Sequence, residues 1–389
     1  MKKVLCLNKI SPVGLATLPK EEYEITTELG EASAILVRSE KMHEIDLPEN
    51  VLCVARAGAG VNNIPLDKYA ASGVVVFNTP GANANAVKEL TILGMLLASR
   101  DIPASMDWVK ANKADPEINK TMEKAKGAFA GREIMGKTLG VIGCGAIGAL
   151  VAQAAHALGM HVIGVEPSEA TLKRYADILP SDLEIVGNDE LYKRADYISL
   201  HVPLLDATKG MINKDALNKM KDGVVIVNCA RDALVNDDDL KEALESGKVH
   251  RYVTDFPNAK TANMEHVIAI SHLGASTEEA EDNCATMACK EAVEFIENGN
   301  IINSVNYPNI DMGKKSADRR LVVLHKASLD GAEVIKTVSS CKKVVKSMSA
   351  VRGEYAVTLI DFNHDEGNKA CAREALSKLD GVLRARPIH

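Results

Sequence analysis

No apolar run in this 389-residue chain approaches the length of a membrane span. The opening MKKVLCL starts as a signal peptide does, but Asn8 and Lys9 interrupt it after four apolar residues. A surplus of positive charge is also missing. The formal net charge is -7, so a phosphate polymer or an anionic membrane is repelled on average, which argues against nucleic acid as a partner. The short basic run KKVVK (342–346) reads as a solvated helix face. There is no CxxC pair. The eight cysteines are dispersed and most lie inside apolar runs, the pattern of small reduced core residues in a reducing cytosol. No low-complexity tract, short repeat or metal-ligand cluster is evident. The expectation is a cytoplasmic protein without metal, membrane or nucleic acid.

What is present is alternation. From residue 1 to about 100, the apolar runs VLCL, AILV, VLCVA and VVVF alternate with helix-like stretches, as βα units of a parallel sheet do. A second series over 101–288 runs through LGVIG, HVIGV, YISLHV, VVIVN and VIAI. Residues 289–306 read as helical and then extended, completing the first domain. A polar linker with Pro308 and Gly313 covers 307–318. Residues 319–389 then follow the order βαββαβ of a ferredoxin-like module, from RRLVVLHK through a helix in EGNKACAREALSKL to VLRARPI.

Residues 139–148 read LGVIGCGAIG, and the Ala-rich stretch ALVAQAAHALG follows. Gly143, Gly145 and Gly148 allow a tight turn, close approach of a pyrophosphate and close packing of helix on sheet. Ala146 and Ile147 open a helix whose free N–H groups face the phosphates. A second strand, HVIGV, ends at Glu166, where a carboxylate binds the ribose hydroxyls and repels a 2′-phosphate. The expected cofactor is NAD. The fold class is α/β, with two doubly wound parallel-sheet domains, one for substrate and one Rossmann-type, plus the small α+β ferredoxin-like domain.

Hydride exchange with a 2-hydroxy acid needs a cation for the carboxylate, a proton carrier for the oxygen and a held nicotinamide. VVIVNCARDALVN puts Arg231 just past a strand end, where doubly wound folds place ligands, and a guanidinium can grip a carboxylate by two parallel bonds. His272 follows the strand VIAI in the same topological position, and imidazole titrates near neutrality.

With these residues in view, the chain resembles the D-isomer-specific 2-hydroxyacid dehydrogenases. The resemblance is carried by RAGAGVNNI (56–64), VVVFNTPGAN (74–83), GKTLGVIGCGAIG (136–148), LHVPLLDATKGMIN (200–213), VNCAR (227–231) and SHLGAST (271–277), in family order. It implies Arg231 as the substrate-carboxylate ligand and His272 as general acid/base, with Asp255 near the nicotinamide amide. It also implies a cofactor groove lined by His201, Pro203, Thr208, Cys229, Ala230 and Gly274. In the first domain the backbone of Ala57, Gly58, Ala59 and Gly60 would receive the carboxylate, Arg56 would suit a phosphate, and Asn83 would border the pocket. Together with Arg56 it points to the branch that oxidises 3-phospho-D-glycerate. Relatives usually dimerise through the nucleotide domain, so a homodimer or tetramer is expected.

The chain departs from the family in four places. The family has a glutamate about five residues after the aspartate matched by Asp255, where its charge raises the histidine pKa. Here VTDFPNAK offers Ala259 or Lys260, and the nearest later carboxylate is Glu265. The expectation is a His272 with a weaker partner or none, its pKa lowered further by Lys260. Asp232 follows Arg231 where glycine is common, placed to compete with substrate or to face solvent. Ala71 and Ser72 supply no additional base for a phosphate. Finally, VRGEYAVTLIDF and LDGVLRARPI resemble the ACT regulatory domain, but its effector-gripping asparagine is absent after His325, which argues against an amino-acid effector there. Two rival readings stay open: a reductase of glyoxylate, hydroxypyruvate or another unphosphorylated 2-keto acid, and a non-catalytic NAD-sensing interaction protein.

Overall fold

Strands covered on both faces read as continuous apolar runs, and Ala34–Val37 and Val224–Asn228 are buried at every position. The computed structural model describes residues 1–363 and 371–388. The chain falls into two units, Met1–Asn83 with Glu278–His389, and Ala84–Thr277.

In the first unit, β1 (Lys2–Cys6), β2 (Tyr23–Thr26), β3 (Ala34–Val37), β4 (Cys53–Arg56) and β5 (Val75–Asn78) form a parallel sheet in the order β2-β1-β3-β4-β5. β2 is an edge strand whose YEIT carries too few apolar residues to stand out in the sequence. Arg56 pairs with Asn78 at the carboxyl ends of β4 and β5. The helix Glu278–Asn298 buries Cys284, Ala288, Ala292 and Phe295, and the Phe295 ring lies 5.8 Å from that of Phe77. This helix begins at Glu278, not at 289.

The second unit holds β6 (Thr138–Ile142), β7 (His161–Val165), β8 (Glu184–Ile185), β9 (Tyr197–Leu200), β10 (Val224–Asn228), β11 (Val249–Thr254) and β12 (Val267–Ala269). All run parallel in the order β12-β11-β10-β9-β6-β7-β8. The order reverses at β6 and β9, which creates a switch point at their carboxyl ends. The helix Ala84–Ser99, grouped with the first domain by sequence pattern, belongs to this unit. It closes on the sheet through Gly94, where a Cβ would meet the Val253 side chain at 2.9 Å.

The tail sheet consists of β13 (Arg319–Lys326), β14 (Val344–Arg352), β15 (Tyr355–Phe362) and β16 (Val382–Ile388), antiparallel in the order β14-β15-β13-β16. With the helices Gly331–Ser339 and Cys371–Leu376 it has the expected βαββαβ order. Residues 366–370 of the expected second helix lie outside the described residues.

Val322, Leu324, Val357, Leu359 and Ile388 share a core with Phe77 and Phe295. Arg386 donates to the carbonyls of Phe295 and Ile296 at 2.6 and 2.8 Å, capping the last turn of the long helix. The connection 307–318 is docked, because Tyr307, Ile310 and Met312 reach the core and the Tyr307 hydroxyl donates to Ala70 O at 2.6 Å.

KKVVK is not a helix face: its β-branched pair opens β14, and Lys346 donates to the Met312 carbonyl at 3.2 Å. Cysteines 6, 53, 144, 229, 284 and 289 are free. Cys341 is disulfide-bonded and so departs from the reduced pattern; it sits in the polar stretch SSCKK, outside any apolar run. Among the described residues no helix is long and apolar enough to cross a membrane, and no group of side chains is placed to hold a metal.

Candidate active site

The turn after β6 is built on its glycines. Gly143 has φ 93°, and a Cβ there would meet the His201 carbonyl at 2.8 Å. A Cβ on Gly148 would lie 1.9 Å from Gly143 O, so only glycine lets the helix Ala146–Ala157 start this close to the strand. Gly145, by contrast, faces open space. Among the described residues no side chain caps this helix, and the amides of Ala146, Ile147 and Gly148 meet no acceptor. Open amides at a helix N-terminus suit a pyrophosphate. Glu166, one residue past β7, accepts from the Cys144 amide at 3.1 Å and from the Ser168 amide at 3.0 Å, which fixes its carboxylate beside the loop. These residues fit NAD.

On the other side of the switch point, His201 leaves β9. Its Nε2 shares a 2.6 Å hydrogen bond with the Ser199 hydroxyl, and its Nδ1 is covered without a partner among the described residues. Burial pushes this imidazole down to about 3, so it is neutral at physiological pH. Pro203 and Thr208 belong to the loop that follows. The Thr208 hydroxyl donates to Pro203 O at 2.6 Å and accepts from the Leu205 amide at 2.8 Å, holding the loop closed.

β10, β11 and β12 are in register, with Asn228 opposite Thr254 and Thr254 opposite Ala269. The residues after each strand therefore share one sheet edge. After β10, Asn228 accepts from the amides of Ala230 and Arg231 at 3.1 and 3.3 Å and donates to Arg231 O at 2.8 Å. This clamp sets the Cys229–Arg231 turn. The Arg231 guanidinium donates to Ala230 O at 2.6 Å, and its carbon lies 5.2 Å from the centroid of the Phe256 ring. That ring in turn packs on His272, with centroids 4.2 Å apart. Arg231, Phe256 and His272 thus form one cluster at the carboxyl ends of β10–β12.

Asp255, the last residue before Phe256, is 1% exposed. Its Oδ2 accepts from the Gly274 amide at 2.9 Å, and a Cβ on Gly274 would press on that oxygen. Its Oδ1 has no partner among the described residues. Burial pushes the carboxyl above its ordinary value, and the Gly274 amide and the charges of His272 and Arg231 pull it back.

Lys260 points elsewhere. It pairs with Asp238 at 2.7 Å, and that bond, with the nearby Asp237, raises its pKa. The expectation that its ammonium acts on His272 is corrected by this pairing. Asp232 is exposed and makes no ion pair with Arg231 among the described residues, so it faces solvent. Phe256, Asn228 and Ser199 were not singled out from the sequence. Phe256 lay in plain view as the neighbour of Asp255, while the other two are legible only once the strands are paired.

In the first unit, Arg56 donates to Arg38 O at 3.0 Å. Its guanidinium lies over Gly58, whose φ is 143° and where a Cβ would be 1.8 Å from Arg56 Nη1. Two of the four amides expected to take a carboxylate are engaged internally, Ala57 N with Val37 O at 2.8 Å and Gly58 N with Arg56 O at 2.9 Å. Those of Ala59 and Gly60 meet no acceptor among the described residues, while Asn78 donates to Ala59 O at 2.6 Å. The Asn83 side-chain oxygen is covered and has no partner among the described residues. Ala71 and Ser72 precede β5, at the sheet edge opposite Arg56. Both are exposed, and the tail's Arg384 donates to Ser72 O at 3.3 Å, so a missing base there leaves the Arg56 end of the sheet untouched.

A doubly wound sheet with a glycine turn, a ribose carboxylate and an arginine–histidine cluster on one edge defines a dinucleotide-dependent oxidoreductase. Comparison with known proteins narrows the class. Residues 92–274 match the D-isomer specific 2-hydroxyacid dehydrogenase NAD binding domain. The chain is 38% identical over 284 residues to a hydroxypyruvate reductase of Thermotoga maritima, covering 67% of this chain and 87% of the relative. It is 31% identical over 388 residues to a D-3-phosphoglycerate dehydrogenase of Mycobacterium bovis, covering 92% and 71%. The NAD+-bound structure of 3-phosphoglycerate dehydrogenase from Entamoeba histolytica matches with a TM-score of 0.62 at 26% identity, over 78% of this chain and 98% of that one. The chain belongs to the D-isomer-specific 2-hydroxyacid dehydrogenase family and uses NAD.

Proposed function

We propose that the chain oxidises 3-phospho-D-glycerate to 3-phosphohydroxypyruvate, the step that opens L-serine synthesis. NAD held at the Gly143–Gly148 turn supplies the hydride acceptor. Arg231 binds the substrate carboxylate through its planar fork and draws electron density from the adjacent carbon. His272, neutral in the oxidising direction, takes the hydroxyl proton as the alcohol becomes a carbonyl, and returns it in the reverse reaction. Phe256 keeps both side chains in place. The Asp255 carboxylate favours a positive His272 once the proton has arrived. His201, Pro203, Thr208, Cys229, Ala230 and Gly274 border the cofactor, and Ala59 and Gly60 offer amides to the substrate.

The observation that carries the phosphorylated substrate is Arg56 at the carboxyl end of β4, its guanidinium over Gly58 and next in sequence to the open amides of Ala59 and Gly60. One cation beside backbone donors is what an oxyanion needs. The M. bovis relative supports the same reading by name. The test is initial-rate NADH consumption with 3-phosphohydroxypyruvate, hydroxypyruvate and glyoxylate. A higher kcat/KM for the phosphorylated acid is expected. Faster turnover of hydroxypyruvate would favour the second reading, an unphosphorylated 2-keto acid reductase, for which the T. maritima relative speaks. The βαββαβ tail supports an ACT-like module whose role is assembly of a homodimer or tetramer.

A further inference from the structure

The first unit contains a cavity of about 940 Å3 that the proposed chemistry does not use. One wall is the helix Glu278–Asn298 and another is the segment that returns through Asn300–Lys314. Three carboxylates face it, from Glu291, Glu294 and Asp311, and two of them are committed. Glu294 accepts from Asn298 and Asn300 at 3.0 and 2.6 Å, and Asp311 accepts from the Gly313 amide at 2.8 Å.

Glu291 differs. It is 7% exposed, its Oε1 accepts from Asn303 at 2.7 Å, and its Oε2 has no partner among the described residues. An acceptor held out of water without a donor is unfavourable unless a ligand satisfies it. Asn303, which holds the other oxygen, has φ 59°, the left-handed conformation that asparagine adopts more readily than most non-glycine residues.

Two cations complete the wall. Lys290 and Lys314 are exposed, and neither forms an ion pair among the described residues. Pro19, Met287, Val293 and Ile302 give the cavity an aliphatic side. A ligand that matches this lining carries an ammonium, an anionic group and an apolar body.

We propose that the cavity is a binding site for an aliphatic α-amino acid, with its ammonium on Glu291, its carboxylate on Lys290 and Lys314, and its side chain against the aliphatic wall. Burial pushes the free Glu291 carboxyl up to about 8. The groups facing it are Lys290 and Glu294 from its own helix, Asp311 and Lys314 from the return segment, and the buried thiol of Cys53 on β4, which the Glu291 charge helps push up; the Thr17–Pro19 and Gly81–Ala82 stretches bring none that titrate. The ammonium needs the ionised carboxylate, so binding releases a proton below that pH and tightens as pH rises towards it.

The experiment is calorimetric titration of the full chain with L-leucine, with 3-methylbutylamine as the cation-only probe and 4-methylpentanoate as the anion-only probe. Leucine is expected to saturate and to bind about 20-fold more tightly at about pH 8.5 than at about pH 6.5. Each single-charge probe is expected to bind at least about tenfold more weakly than leucine. Glu291→Gln should abolish the pH dependence. The surface pair Lys290→Ala with Lys314→Ala should weaken leucine but not 3-methylbutylamine, and it does not disturb the buried carboxyl. The proposal is overturned by the absence of saturable leucine binding, by equal binding of 4-methylpentanoate, or by a double lysine variant that binds leucine as the parent does.

Discussion

The ring of Phe256 packs on the imidazole of His272 with centroids 4.2 Å apart and planes inclined by 44°. The same ring lies 5.2 Å from the guanidinium carbon of Arg231. An apolar residue is therefore the common support of the two groups assigned to carboxylate binding and proton transfer. Phe256→Ala should lower kcat about 10- to 100-fold while leaving NADH affinity within about threefold, because small displacements of reacting groups are costly. Phe256→Tyr, which keeps the ring, should restore most of the rate. Steady-state kinetics with a fluorescence titration of NADH separates the two effects, and an unchanged kcat in the alanine variant would remove the ring from the account.

Asp255 sits beside this cluster with one oxygen on Gly274 and the other unpartnered among the described residues. Its negative charge favours protonated His272, so removing it should lower the apparent pKa of the base. In Asp255→Asn the limb of kcat/KM governed by that base should move to lower pH, by up to about one unit. The direction holds for both reaction directions, since each limb follows the same proton. A limb that stays in place would mean that Asp255 does not act on His272.

Glu166 accepts from the amides of Cys144 and Ser168 and so is aimed at the nucleotide loop. Glu166→Ala should raise the KM for NADH about tenfold with little change in kcat, and should narrow the preference over NADPH. Parallel titrations of the two cofactors decide it; a preference that is unchanged would place cofactor selection elsewhere.

Glu291 also sets a pH dependence of stability. Its folded value is pushed up to about 8 from an ordinary 4.5 by burial. A carboxyl that binds its proton more tightly when folded imposes no penalty below the ordinary value, and the full penalty above the folded one. Stability should therefore fall as pH rises from 4.5 to about 8 through this group, and Glu291→Gln should flatten that slope in urea unfolding curves. An equal slope in both proteins would contradict the assignment.

The buried pair Arg320–Asp361 joins the tail to the rest of its unit. Arg320 donates to Asp361 at 2.6 and 3.0 Å, and also to the carbonyls of Asn298 and Gly313 at 2.8 and 2.6 Å. Removing one partner leaves an uncompensated charge, so Arg320→Met should destabilise the protein by about 3–5 kcal/mol. Arg320→Met with Asp361→Leu should recover part of that loss. Thermal and urea unfolding report both.

The fold's parallel units were legible because their signals are local. GCGAIG carries its own turn and helix start, and each strand that precedes Arg231 and His272 is an unbroken apolar run. What escaped depends on residues far apart in sequence. Lys260 could be read as a threat to His272 only because its partner Asp238 lies on another segment. Tyr307, Ile310 and Met312 sit among Asn, Asp and Gly, so their stretch reads as a linker until the core that receives them is known. KKVVK has the charge of a solvated helix, yet it opens a sheet strand in which Val344 pairs with Phe362 and Lys346 with Asp361.

The most direct test of the central claim compares the parent chain with Arg56→Ala on 3-phosphohydroxypyruvate and on hydroxypyruvate. Loss of a charge-assisted phosphate contact should lower kcat/KM for the phosphorylated acid about 100-fold, chiefly through KM, and change that for hydroxypyruvate by less than about threefold. Equal losses on both substrates, or a parent enzyme that already turns over hydroxypyruvate more efficiently, would contradict the account and leave an unphosphorylated 2-keto acid as the substrate.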